Sequence, residues 1–375
     1  MGLNRTNLRG LITLSDERNS NGAYGEDDVV GVSTNKCLIE TKANLQGVNL
    51  FAYKVLAPGS FAYVADTSRR GNKIALAYNN TERTYIVSTW YVVFRVADDA
   101  SNVLLPEYLY LFFNRPEFDR YSRANSWGSA REYFLFSDME DVVLDLPPIE
   151  IQRKYVAIYE AMRANQSAYE SGLDDLKLTC DALLDRCKTS RHWIRVDDCI
   201  QEVDRRNSDA SCDKAFGINI SKQFMVSKAS SNDLHNYKLV APGELAYSSM
   251  QTGRDKCIRI ALHEGSEDIA VSPAYSILKE KPNNALPIKY LMMWFSRPEM
   301  DRLGWFLSDA SIRANLDLNE FLKIKIPVPD KPVQDAVVKI YDAWETRAAI
   351  NERLKECLQD ICPILVKGSI EEARK

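Results

Sequence analysis

Two stretches of the chain repeat their apolar positions every three and a half residues. The first runs through Tyr155, Tyr159, Met162, Gln166, Tyr169, Leu173, Leu176, Cys180, Leu183 and Cys187. The second runs through Val333, Val337, Ile340, Trp344, Arg347, Asn351, Leu354, Leu358, Ile361 and Leu365. Spacings of four and three alternate throughout, the signature of coiled-coil helices. The pattern predicts a central spacer helix over 148–190 and a distal one over 330–366, followed by a tail at 367–375. At 1.5 Å per residue, each is a rod of roughly 50 Å. Gln166, Arg347 and Asn351 weaken the seam but can fix its register. Gly172 and Pro363 are local flaws, and Pro363 is expected to end or kink the second helix.

Elsewhere the pattern is shorter. NKIALAY and TYIVSTWYVVFRV, ending at Val96, are β-branched and aromatic runs that predict strands. DKCIRIALH and IAVSPAYSILK do the same further on. An Ala-Pro-Gly turn precedes FAYVA at Phe61 and LAYSS at Leu245, two more predicted strands. PEYLYLFFNRPEFDRY and PIKYLMMWFSRPEMDRL read as apolar helices with Pro106 and Pro287 in the first turn and a break at Pro116 and Pro298. The fold class is mixed α/β, with globular domains at 1–147 and 191–329.

These elements occur twice. LAPGSFAY at Leu56 matches VAPGELAY at Val240, 184 residues on. NRPEFDR at Asn114 matches SRPEMDR at Ser296, 182 on; Arg18-Asn19-Ser20 matches Arg206-Asn207-Ser208, 188 on. Gln152, Ile158 and Tyr159 match Gln334, Ile340 and Tyr341 at 182. Order is kept and the offset drifts by small loop changes, so the chain is a tandem duplication of one domain-plus-helix unit. If the two helices pair antiparallel, the two domains go to opposite ends of the rod about an approximate two-fold axis. Duplex DNA has that symmetry, and two readers would then meet it about one helical turn apart, ~34 Å or a small multiple. The expected target is split in two, with an unread spacer and unlike half-sites.

Composition changes this picture little. The net charge of −4 argues mildly against nucleic acid, since phosphate neutralisation needs Lys and Arg. Eight cysteines with no CxxC pair, and three histidines without ligand spacing, indicate reduced thiols, a cytoplasmic setting and no metal. No apolar run approaches the length of a membrane span.

Leu146-Pro147-Pro148-Ile149-Glu150-Ile151-Gln152, followed by the heptad helix, resembles the entry to the spacer helix in specificity (S) subunits of type I restriction-modification systems. Ile326-Pro327-Val328-Pro329 with Gln334 is a degraded second copy, in which Asp330 and Lys331 stand where the first has Pro148 and Ile149. The resemblance spans essentially the whole chain. It implies a non-catalytic subunit that binds double-stranded DNA and two methyltransferase (M) subunits, and through them restriction/translocase (R) subunits. It also implies that S-adenosylmethionine, ATP and Mg are held by those partners, with no cofactor in this chain. The sequence holds no phosphate loop ending in GK[ST] and no Asn-Pro-Pro-aromatic motif.

Base edges are read mostly by Arg, Lys, Asn and Gln, and phosphates by cationic and small polar groups. The polar loop after the Ala-Pro-Gly strand therefore supplies Ser68, Arg69, Arg70, Asn72 and Lys73, and its repeat supplies Gln251, Thr252, Arg254 and Lys256. A second candidate segment is Ser129 with Arg131, repeated as Ser311 with Arg313. A third is Arg18-Asn19, repeated in Arg205-Arg206-Asn207. Tyr155, Tyr159, Met162, Tyr169, Leu176, Leu183, Val337, Ile340, Trp344, Leu354 and Leu358 are seam or partner residues. Seam packing is the favoured reading, with Tyr155, Tyr159, Tyr169 and Trp344 as the plausible interface anchors. The competing readings are a coiled-coil protein–protein adaptor without DNA binding, and an enzyme acting on nucleic acid.

Overall fold

The computed structural model describes residues 3–41, 43–68, 72–129, 131–227, 233–250, 256–282, 285–309 and 314–375. The chain divides into two compact units. One comprises Met1–Ala168 with Asn351–Lys375, the other Tyr169–Ile350. Each unit therefore owns a globular domain and half of each long helix.

In the first unit, four antiparallel strands lie in the order Ile12–Ser15, Tyr91–Val96, Ser60–Val64, Leu76–Tyr78. The second unit repeats that order with Ile200–Val203, Tyr275–Glu280, Leu245–Ser248 and Arg259–Leu262. Every strand read from the sequence is present. Two apolar helices pack on one face of each sheet, Pro106–Phe113 and Pro116–Ala124, then Ile288–Phe295 and Pro298–Leu307. The breaks fall at Pro116 and Pro298 as expected, because each proline starts a helix where its missing N–H has no partner to lose. The first core is aromatic: Phe61 stacks on Phe94 at 5.0 Å, and Phe113 meets Phe118 at 4.5 Å.

The long helices are Ile149–Cys187 and Lys331–Ala373. Each begins with the same lock. Gln152 is fully buried; its amide donates to the carbonyls of Val103 and Pro147, both at 2.8 Å, and its oxygen accepts from Leu105 N at 3.0 Å. Gln334, also buried, donates to Pro329 O at 2.9 Å. The Leu-Pro-Pro…Gln motif is thus a joint fixing the direction in which a helix leaves its domain.

Within the first unit the helix halves run antiparallel. Lys154 pairs with Glu372 at 2.9 Å, and further along Gln166 Nε2 donates to Asn351 Oδ1 at 2.9 Å. Within the second unit the Arg347 guanidinium lies 5.3 Å over the Tyr169 ring. A Cβ on Gly172 would collide with that guanidinium, so the apparent flaw at Gly172 is the space in which Arg347 packs. The seam polar residues are therefore matched rather than merely tolerated.

Pro363 does not end the second helix, which continues to Ala373, and the expected tail at 367–375 is helical to that point. An interior proline costs about 3 kcal/mol. Here Cys362, Leu365, Val366 and Ser369 are buried in the first unit, and Ser369 Oγ is bonded to Tyr108 Oη at 2.7 Å. Continuing the helix keeps those contacts, which outweigh one lost backbone bond. No helix among the described residues is long and apolar enough to cross a membrane.

Gln166 is 8% and Asn351 2% exposed, so removing Gln166 takes from the Asn351 oxygen a donor that water does not replace. Gln166→Ala is expected to lower stability by about 1–3 kcal/mol, whereas the double replacement of Gln166 and Asn351 by Leu is expected to be near neutral. Urea unfolding checks both; a single variant as stable as the wild type would show that the pair contributes nothing.

Candidate nucleic-acid interface

Two of the loops nominated as DNA contacts, some sixty residues apart in the chain, are stitched together in the first domain. Thr67 N donates to Glu132 O at 2.9 Å, Glu132 N to Ser68 Oγ at 2.9 Å, and Phe134 N to Ala65 O at 2.9 Å. The second domain repeats the junction with Leu316 N to Ser249 O at 2.8 Å and a bridge between Met250 and Asn315. A strand of the main sheet leads into the junction in both domains, so the sheet positions one polar surface built from two loops.

On that surface Asn72, Lys73, Ser129 and Arg131 are exposed. Lys256 is exposed too; it takes a left-handed backbone (φ 45°) and its ammonium sits 5.1 Å over the Trp305 ring. Ser68 is committed internally: its hydroxyl donates to Asp66 at 2.7 Å and accepts from Glu132 N. Arg69, Arg70, Gln251, Thr252, Arg254, Ser311 and Arg313 lie outside the described residues.

In the third candidate segment the arginines are exposed and the asparagines are buried. Asn19 and Asn207 are 1% and 0% exposed. Asn19 bonds Tyr24 N, Tyr24 O and Leu50 O, while Asn207 bonds Cys212 N, Cys212 O and Leu234 O. Both amides are withdrawn as base readers, since neither can reach a base edge without unmaking its own loop. Arg18 is held by Ala52 O and Asp16, Arg206 in the same way by Asn236 O and Asp204. Arg205 is ion-paired with the buried Glu244 carboxylate.

A buried ion pair anchors the far end of the first loop. Lys36 pairs with Asp119 and also donates to Ile74 O at 2.9 Å, while Ile74 N donates to Asp119 at 3.1 Å. The second domain has Lys222 and Asp301 at 2.6 Å, with Ile258 N donating to Asp301 at 2.9 Å. Both lysines occupy the left-handed region, φ 62° and 60°, which turns their side chains inward. Burial pulls the Lys36 ammonium below its ordinary pKa, opposed by the Asp119 charge. None of these four residues was singled out from the sequence. The signal available was an aspartate at the same place in the repeated NRPEFDR and SRPEMDR.

Neither a protein-family model nor a curated protein matches the chain. Solved structures do. The crystal structure of the type I restriction-modification system S subunit from M. genitalium superposes with a TM-score of 0.58 at 12% identity, covering 98% of this chain and 96% of that one. The fold is that of a type I restriction-modification S subunit. The HsdS subunit from Thermoanaerobacter tengcongensis (TM-score 0.35, 15% identity, 98% and 96% covered) lies too far off to carry an argument. The same holds for a chain from a structure of complex assembly and conformational transition in a type I system (TM-score 0.45, 15% identity, 100% and 98% covered).

On the long helices of this S-subunit fold, the seam candidates behave as seam. Tyr159 and Val337 are buried, the former 6.2 Å from Tyr110. Tyr155 is half-buried, its hydroxyl donating to Glu372 at 3.1 Å. Met162, Tyr169, Leu176, Leu183, Leu354 and Leu358 are half-buried. Ile340 and Trp344 line a cavity of about 650 Å³ in the second unit, where Met292 stands at the position of Tyr110, whose hydroxyl donates to Lys36 O in the first. The apolar helix side chains left in water are others: Ile158 and Ile364 in the first unit, Ile350 and Leu178 in the second.

Asp119→Ala leaves the Lys36 ammonium buried without its carboxylate, a change expected to destabilise the first unit by about 3–5 kcal/mol. Hydrogen exchange should show protection lost around Ile74 and kept around Ile258. Equal loss in both units would refute a local anchor.

Proposed function

We propose that this chain is the sequence-specific DNA-binding subunit of a type I restriction-modification complex. The observation that carries the reading is that one sheet order and one two-loop junction are built twice, each domain handing over to a long helix through a buried glutamine. Two unlike copies of one reader suit a bipartite, asymmetric target with an unread spacer. In this reading the exposed Asn72, Lys73, Ser129, Arg131 and Lys256 meet the DNA, with Arg69, Arg70, Gln251, Thr252, Arg254, Ser311 and Arg313 as further candidates from the same loops. The methyltransferase subunits dock on the long helices through apolar residues outside the seam, Ile158 and Ile364 or Leu178 and Ile350. S-adenosylmethionine, ATP and Mg are held by those methyltransferase subunits and the translocase subunits they recruit, and the complex works in the cytoplasm.

Three measurements test this. Affinity for the target should fall steeply with salt, because phosphate contacts release counterions; a protein-only adaptor would show no such slope. Exchanging residues 1–147 for the equivalent domain of a related S subunit should change one half-site of the methylated sequence and leave the other. Inserting four residues in the first long helix, about one turn or ~6 Å, should change the tolerated spacer by about one or two base pairs. An unchanged spacer would show that the helices do not set it.

A further inference from the structure

Large aromatic side chains stand in water beside the loop junction in both domains. Trp127 is 69% exposed although its backbone is hydrogen-bonded. It exchanges two hydrogen bonds with Tyr133, at 3.1 and 3.0 Å, closing a tight hairpin. Gly128 makes that hairpin possible: its φ is +147°, and a Cβ there would overlap the Arg131 carbonyl. In the second domain Phe306 is 81% exposed in the last turn of Pro298–Leu307. Its neighbour Trp305 carries the Lys256 ammonium over its ring.

The two aromatics are not repeat equivalents. At the 182-residue offset Trp127 faces Asp309, and Phe306 faces Ala124. Each domain has therefore placed an exposed aromatic within three residues of the end of the same helix, from a different position. Common descent of the fold does not produce that coincidence; a shared chemical task does. The neighbourhood names the task. Lys256 lies against Trp305, Arg131 is in the hairpin of Trp127, and cations beside an exposed ring suit a polyanion that also presents flat apolar faces. Nucleic acid bases have such faces, and stacking on them tolerates any sequence.

We propose that Trp127 and Phe306 are stacking residues, each lying against a base at a locally unstacked step in the half-site of its own domain. The inference rests on the DNA-reading function proposed above. A methyltransferase that modifies a base within a duplex must rotate it out of the stack, which leaves neighbouring base faces uncovered. An aromatic side chain on a hydrogen-bonded turn or a helix end covers one of them, as apolar wedges do in kinked duplexes.

The test uses the chain assembled with its methyltransferase subunits, on a duplex carrying the methylated sequence mapped from genomic DNA. 2-Aminopurine replaces the base beside the target adenine, in one half-site at a time. The wild-type complex should raise the fluorescence of both duplexes. Trp127→Ala should cut the rise to about half or less in one half-site and Phe306→Ala in the other, with Trp127→Phe restoring most of it. Trp90 is the control: it is 73% exposed in the turn before Tyr91–Val96, and its repeat counterpart is Ala274. Trp90→Ala should leave both signals unchanged. If Trp127→Ala and Phe306→Ala leave both rises intact while binding stays specific and salt-dependent, the stacking role is overturned and the DNA-reading function stands. If the wild-type complex does not bind the mapped duplex at all, the function itself falls, and the stacking role with it.

Discussion

The arrangement depends on a buried primary amide. Gln152 has no exposure to water, and its side chain closes three hydrogen bonds that tie the start of a 39-residue helix to the strand before it and to the loop that opens the first apolar helix. A buried amide is stable only when its donors and its acceptor are all matched, so the geometry that satisfies it is narrow. That narrowness sets the angle at which the helix leaves the domain. A helix free to swivel at its root could not hold anything at a defined distance, whatever its length. Gln334, also buried, donates to Pro329 O, and its entry sequence has lost the second proline.

Further along, register is set by polar chemistry as well as by apolar packing. A purely apolar seam would pair nearly as well after sliding by a heptad, since one buried leucine resembles another. Gln166 with Asn351, and Arg347 over Tyr169 in the room left by Gly172, have no such freedom. Each long helix contributes to both compact units, so these contacts fix the pairing inside each unit separately.

The duplication, the strands, the paired helix breaks and the seam were legible in the sequence because each rests on periodicity or on a backbone rule. Three features were not. The continuation through Pro363 depends on burial of residues on either side, which one proline does not reveal. The Lys36–Asp119 and Lys222–Asp301 anchors join residues about eighty apart, and charge alone gave no reason to bury them. The two-loop junction joins segments that no local pattern links, although both had been nominated for their polar, basic character.

The withdrawal of Asn19 and Asn207 has a general cause. Arg-Asn-Ser stands in both halves and has the polar chemistry of a base reader, yet its asparagine closes a loop. If the two copies read unlike targets, as proposed, the inference runs the other way. What both copies keep serves what both share: the fold, as with the asparagine that closes a loop or the aspartate that receives a buried lysine, or a phosphate backbone that is the same at every target. What reads different bases must differ. The loop Arg69-Arg70-Gly71-Asn72-Lys73 keeps its glycine and its last lysine against Gln251-Thr252-Gly253-Arg254-Asp255-Lys256 and changes most of the rest. Divergence between matching flanks, rather than identity, is the mark of a residue that discriminates.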